Sequence, residues 1–166
     1  SRCPRGTVAA ARGRGKEGRV RTTADYPPVW LVGFLVLAWG QAQALPLGGP
    51  GWAYWPGTLI ALAGAALMLA AVPMFVRAGT TIVPHEPPRV LITGGVYRLT
   101  RNPIYLADAL ILTGLILRWG AWPSLVLVPL FVIVITRRFI EPEEARLRAA
   151  FGAAFEDWAG RVRRWV

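Results

Sequence analysis

Apolar and polar positions fall along this chain in long blocks rather than in short periods. Residues 29–47, 52–76, 103–117 and 122–136 hold almost no charge, and charged residues gather between and beyond them. Blocks of this length predict helices that cross a bilayer, because a hydrocarbon core of about 30 Å takes about 20 helical residues. The first block follows Pro27 and Pro28 and is cut by Gly48, Gly49, Pro50 and Gly51. In the second, Gly57, Ala61 and Gly64 form a small face suited to close helix contact, and Pro73 is placed to kink its end. Blocks three and four are shorter, and flanking Tyr and Trp residues extend them through the interface.

Two polar segments lie outside the blocks. The loop 79–95 contains Pro84, Pro87 and Pro88, which exclude a continuous helix and predict an ordered loop. The tail 141–166 reads as helical. Its Leu147, Phe151, Phe155, Trp158, Val162 and Trp165 recur at helical steps and share one face, with Gly152 placed to break the helix in two. Five arginines flank that stripe, so the tail lies on the membrane surface or packs against the loop. The expected fold is all-α integral membrane: about four transmembrane helices, a cytoplasmic loop and C-terminal amphipathic helices. Residues 26–166 form one domain. Residues 1–25 are rich in Arg, Gly and Ala without an apolar core, and read as a disordered basic arm rather than a secretory signal.

Composition agrees with this reading. Hydrophobic residues make up 54% and charged residues 17% of the chain, against about 25% charged in soluble domains. The net charge of +10 raises nucleic acid as a partner. Placement argues against it. Basic residues cluster in the first 25 positions, between Arg77 and Arg101, and between Arg137 and Arg164, with Arg118 alone elsewhere. Such clusters set topology and meet anionic lipid. They put both termini and the 77–103 loop on the cytoplasmic face. Cys3 is the single cysteine and His85 the single histidine, so neither a disulfide nor a metal site is expected.

Candidate chemistry concentrates at the entrance to the third block, "GGVYRLTRNPIYL". Asn102 is a favoured N-cap and Pro103 a favoured first helical residue. The free N–H groups of that helix start, with Arg98 and Arg101 beside them, make a cationic spot suited to a carboxylate or phosphate. Lipid anchoring by the arginines, with Tyr105 in an aromatic belt, is the alternative account. In "IEPEEARL", Pro142 opens a helix with Glu143 and Glu144 in its first turn, and Glu144 can pair with Arg148 four residues on. Either a structural role or a ligand-gripping role fits these acids. Asp108 lies inside the third block among apolar neighbours, about 7.5 Å past Pro103. A charged group there faces a polar cavity or a partner such as Arg101. His85 sits in the Pro-rich loop beside Glu86 and matters only where that loop covers a ligand.

Together these residues resemble the isoprenylcysteine carboxyl methyltransferase family in its broad prokaryotic form, related to phospholipid methyltransferases. The resemblance rests on GVYRLTRNPIY and EEARLRAAFGAAFEDW, with AGTTIVPHEP before them, and covers residues 75–166. It implies an S-adenosylmethionine-dependent methyltransferase in a prokaryotic inner membrane, with its active site on the cytoplasmic side. The loop, the start of the third span and the C-terminal helices would form the cofactor pocket. The resemblance places Gly95, Tyr97, Arg98, Asn102, Pro103 and Tyr105 at the cofactor, with His85 from the loop and Glu143 and Glu144 from the tail. Arg101 would place an anionic group, and Asp108 would take a proton from an amine acceptor. Asn102 stands where many members have His, and it cannot act as a base near neutral pH. Ala107 stands where Gly is common, and Phe155 and Trp158 where Tyr is common.

Methyl transfer from a sulfonium needs an in-line nucleophile and exclusion of water more than an acid or base. The acceptor is a lipophilic or small molecule bearing a carboxylate, thiol or amine. Two other readings stay open: a nicotinamide-dependent membrane reductase of the steroid-reductase type, and a non-enzymatic tetraspan protein that binds anionic lipid.

Overall fold

The computed structural model describes residues 26–77 and 91–166, and every regular element among them is helical. Helix α1 spans Pro27–Ala44, with prolines at its first turn where no N–H is missed. Residues 45–50 are irregular, as the Gly-Pro cluster requires. A 3-10 turn at Gly51–Ala53 then leads into α2, Tyr54–Arg77. Pro73 lies inside α2, which continues to Arg77. After a second 3-10 turn at Gly95–Arg98, α3 runs over Pro103–Arg118. A third turn, Trp122–Val126, opens α4, Leu127–Ile135. Helices α5, Glu141–Phe151, and α6, Ala153–Arg161, complete the chain.

The helix boundaries follow the apolar blocks closely, with one correction. The fourth block does not end before the tail begins. Residues Trp122–Phe151 form one unbroken helical stretch, in which Thr136–Ile140 is wound as a π-helix. Pro142 supplies the physical reason. It has no N–H for the carbonyl four residues back, and its ring crowds that carbonyl. Widening the preceding turn relieves both, and the Glu141 N–H reaches back to the Thr136 carbonyl instead. Glu141 therefore has no free helix N-terminus above it, because Ile140 is itself helical at φ −67°, ψ −50°. The helix-dipole account of Glu143 and Glu144 fails on this point.

The predicted small face is used. A Cβ on Gly57 would meet the Arg118 nitrogen and the Gly114 oxygen, both at 2.7 Å. One on Gly64 would meet the Ala107 oxygen at 2.8 Å and Ile111 at 2.9 Å. Gly114 in turn lies on the backbone of Gly57 and Ala61. So α2 and α3 run antiparallel with backbones in contact, which is how helices associate where burial in lipid gives no gain. On the other side, α1 packs on α3 and α4 around Phe34, Leu112, Ile116, Phe131 and Ile135. Phe34 meets Phe131 edge-on at 5.4 Å. Arg138 stacks over Trp30, and Ser124 donates to Gln41 at 2.9 Å, tying the two ends of the antiparallel pair.

Two helices, Gly51–Met74 and Trp122–Phe151, are long and apolar enough to cross a membrane. Helix α3 has 16 residues. Much of the outer surface is apolar: Val32, Val36 and Leu37 of α1, Leu59, Leu62 and Leu69 of α2, and Leu130 and Ile133 of α4 are exposed. Exposed apolar area on this scale calls for a membrane or a partner.

The tail stripe packs inward on the described residues just before α3. Phe155 and Trp158 are buried with Tyr97, and Met74, Leu91, Ile92, Val96, Leu147, Phe151 and Val162 surround them. Gly152 does break the helix, at φ +50°. Trp165 departs from the stripe. The chain turns extended at Val162, and Trp165 packs on the bundle with its Nε1 donating to Thr136 at 3.3 Å.

Replacing Gly114 with Val is expected to force α2 from α3 and cost about 1–3 kcal/mol. Gly40→Ala, where nothing lies within 4 Å, is expected to be neutral or stabilising. Thermal unfolding of both variants in detergent checks this.

Candidate active site between the α3 entrance and the tail

The entrance to α3 lies against the polar face of α5 and the chain beyond α6. Gly95 starts the short turn before it at φ +56°, and a Cβ there would press on the Met74 thioether at 2.8 Å. That turn buries Tyr97. Burial, with the Glu143 carboxylate as the lesser cause, pushes the Tyr97 phenol well above its ordinary value. Tyr97 therefore stays protonated, an O–H donor at any working pH. Arg98, next in the turn, points outward and is exposed.

Asn102 holds the N-cap position and Pro103 the first turn of α3, as expected. The Asn102 side chain does not cap the helix. Its Nδ2 donates to the Arg164 carbonyl at 3.0 Å, and its own N–H donates to Thr100 Oγ1 at 3.2 Å. Thr100 Oγ1 donates to the same Arg164 carbonyl at 3.1 Å, and the Arg101 N–H donates to the Arg163 carbonyl at 2.9 Å.

Glu144 is 6% exposed. Arg164 grips it with two bonds, Nε to Oε1 at 3.1 Å and Nη2 to Oε2 at 2.7 Å. Arg101 Nη1 lies 3.4 Å from Oε1. Arg164 also stands 3.8 Å from Glu141. The expected Glu144–Arg148 pair does not form. Arg148 pairs instead with Glu156 across the Gly152 bend. The reason is burial: a carboxylate inside the protein requires close, directional cations, and Arg148, four residues on along the same face, stays exposed and turns to Glu156.

One helical position earlier, Glu143 Oε2 accepts the Tyr105 hydroxyl at 3.4 Å. The Tyr105 ring lies 6.5 Å from Phe139 of the π-helical turn. One turn deeper on α3, Asp108 is 4% exposed. Arg101 does not reach it, being engaged with Glu144. Two buried donor nitrogens, Arg101 Nε and Trp158 Nε1, have no hydrogen-bond partner among the described residues.

The structure thus gathers Tyr97, Arg101, Asn102, Pro103, Tyr105, Glu143 and Glu144 at one end of the bundle, with Asp108 beneath. It leaves Arg98 outside, and His85 lies outside the described residues. No group of three or more metal-binding side chains occurs among the described residues. Thr100 and Arg164 were not singled out from sequence. Thr100 carries no chemical signal, and Arg164 is one of five arginines in the tail.

Residues 52–154, more than half of the chain, match the model of the phospholipid methyltransferase family. The chain belongs to this family. Membership implies a membrane methyltransferase, in agreement with the two spanning-length apolar helices. The matched region includes α2, α3, α4 and α5, and with them both acids and the whole α3 entrance. No curated protein and no solved structure matches the chain.

Glu144→Gln keeps the shape but removes the charge facing two arginines. It is expected to cost about 3 kcal/mol, the range for breaking a buried pair. Arg148→Ala, at an exposed pair, is expected to change stability by less than about 1 kcal/mol. Denaturant unfolding of the two variants in detergent gives the comparison.

Proposed function

We propose that this chain is an S-adenosylmethionine-dependent methyltransferase that acts on a lipophilic or small acceptor at the cytoplasmic surface of a membrane. In this reading α1, α2, α3 and the Trp122–Ile140 stretch all cross, and both termini lie on the site's side. The placement of basic residues supports that orientation. The observation that carries the function is the convergence of the α3 entrance with Glu143 and Glu144 of α5, two segments about 40 residues apart, in one partly buried polar cluster.

The residues present fit the cofactor's chemistry. Its amino-acid end needs an anion acceptor and a cation acceptor. Arg101 Nε is a buried donor without a partner among the described residues, suited to a carboxylate. Glu143, reached by the Tyr105 hydroxyl, is a carboxylate suited to an ammonium or a ribose hydroxyl. Trp158 Nε1, at the edge of the aromatic cluster of Tyr97, Phe155 and Trp158, is a second buried donor. When bound, the cofactor supplies an electrophilic methyl group.

Each side chain then has a task. Arg101 and Tyr105 orient the reactants, and the packed tail excludes water. An amine acceptor must lose a proton, and we assign that proton to Asp108, which is buried one turn beyond Tyr105. Asn102 and Glu144, whose polar atoms are bonded within the protein, frame the pocket.

Calorimetric titration of the detergent-purified protein with S-adenosylhomocysteine tests the reading. Wild type is expected to bind. Glu143→Gln and Tyr105→Phe are expected to weaken binding about tenfold or more, the scale of one lost charge-assisted hydrogen bond. Absence of binding by a folded wild type, or binding of reduced nicotinamide in its place, overturns the proposal.

A further inference from the structure

Consecutive residues 100, 101 and 102 all send donors to the segment just after α6. Thr100 Oγ1 and Asn102 Nδ2 share the Arg164 carbonyl, at 3.1 and 3.0 Å, and the Arg101 N–H takes the Arg163 carbonyl at 2.9 Å. The guanidinium of the same Arg164 turns the other way and holds Glu144 of α5 by two bonds, at 3.1 and 2.7 Å. Beyond it, Trp165 Nε1 fastens the segment to Thr136 in the π-helical turn. One residue thus joins the two walls of the site: backbone oxygen to the α3 entrance, side chain to α5.

We infer that Arg164 is a positioning residue for the ligand site, the bolt that sets the α3 entrance against α5. The inference rests on the cofactor reading above and adds a residue to it. The geometry requires an arginine. A planar fork matches both carboxylate oxygens at once, whereas a lysine ammonium is a single point charge. The backbone carbonyl alone would hold residues 100–102 without fixing their distance from α5. The guanidinium alone would hold Glu144 without fixing α3. With both engaged, Arg101 is oriented by its N–H on Arg163 and by Nη1 toward Glu144 at 3.4 Å. Its Nε is left facing no protein partner among the described residues. The inference also gives Asn102 a defined task. Its amide acts through the closing segment, a task that requires a donor and no base.

Two readouts on the full-length protein in detergent test this. The first is the dissociation constant for S-adenosylhomocysteine, with the unfolding temperature measured alongside. The second is hydrogen exchange of the peptide covering residues 97–103. Arg164→Ala is expected to weaken binding about tenfold or more and to speed exchange at Arg101, with peptides from α2 and the middle of α3 unchanged. Arg164→Lys is expected to recover part of each loss. Thr100→Val, a milder change, is expected to speed exchange at residues 100–102 while the protein stays folded. Unchanged exchange at residues 97–103 in Arg164→Ala overturns the inference. So does a lowered unfolding temperature with an unchanged dissociation constant, the result of a merely structural arginine. If wild type binds no S-adenosylhomocysteine, the cofactor reading fails, and the exchange of residues 97–103 still decides whether Arg164 fixes the α3 entrance.

Discussion

A buried carboxylate must be paired or it destabilises the fold, and Glu144 is paired by arginines that come to it from both directions along the chain. Arg101 stands 43 positions before it and Arg164 20 positions after it. Desolvating the glutamate costs several kcal/mol, and close, directional partners offset that cost. The carboxylate is therefore satisfied only when the α3 entrance, α5 and the segment after α6 are all in place. Chain order alone does not bring these three together. Two other features make the meeting possible. The glycine face between α2 and α3 brings α3 close to the rest of the bundle, and the π-helical turn at Thr136–Ile140 sets the rotation at which α5 leaves the fourth helix. Extra width in that turn aims Glu144 at the arginines and Glu143, next on the helix, at Tyr105.

Much of this architecture is legible in the residues. Long uncharged blocks show where the helices run, because charge inside a span is costly and its absence is easy to see. Gly57, Ala61 and Gly64 recur at helical spacing, and that spacing maps onto the α3 contact. Gly152 marks a break because glycine adopts positive φ without strain. The stripe from Leu147 to Val162 gives the buried face of the tail, although its sixth member, Trp165, follows a different path once the helix has ended.

Less legible were the pairings and the joints. Glu144 has an arginine at the ideal helical distance, Arg148, and local spacing favours that pair. Burial overrides it, and burial depends on tertiary packing that no local window contains. The same holds for Asn102. Its place at the helix start is visible, but the direction of its side chain depends on a carbonyl 62 residues away. Pro142 reads as a helix start, and it is instead tolerated inside a helix by a wider turn. Arg98 and Arg101 look alike in the motif, and only the fold separates the exposed one from the one at the carboxylate. Family membership points to methyl transfer at a membrane.

The most direct test of the central claim is a double-mutant cycle on unfolding free energy in detergent, using Glu144→Gln, Arg164→Met and the two together. The account predicts a coupling well above about 1 kcal/mol, because each partner is costly to leave alone. Additive effects, with a coupling near zero, would contradict it and leave the α3 entrance and the tail as neighbours that do not hold each other.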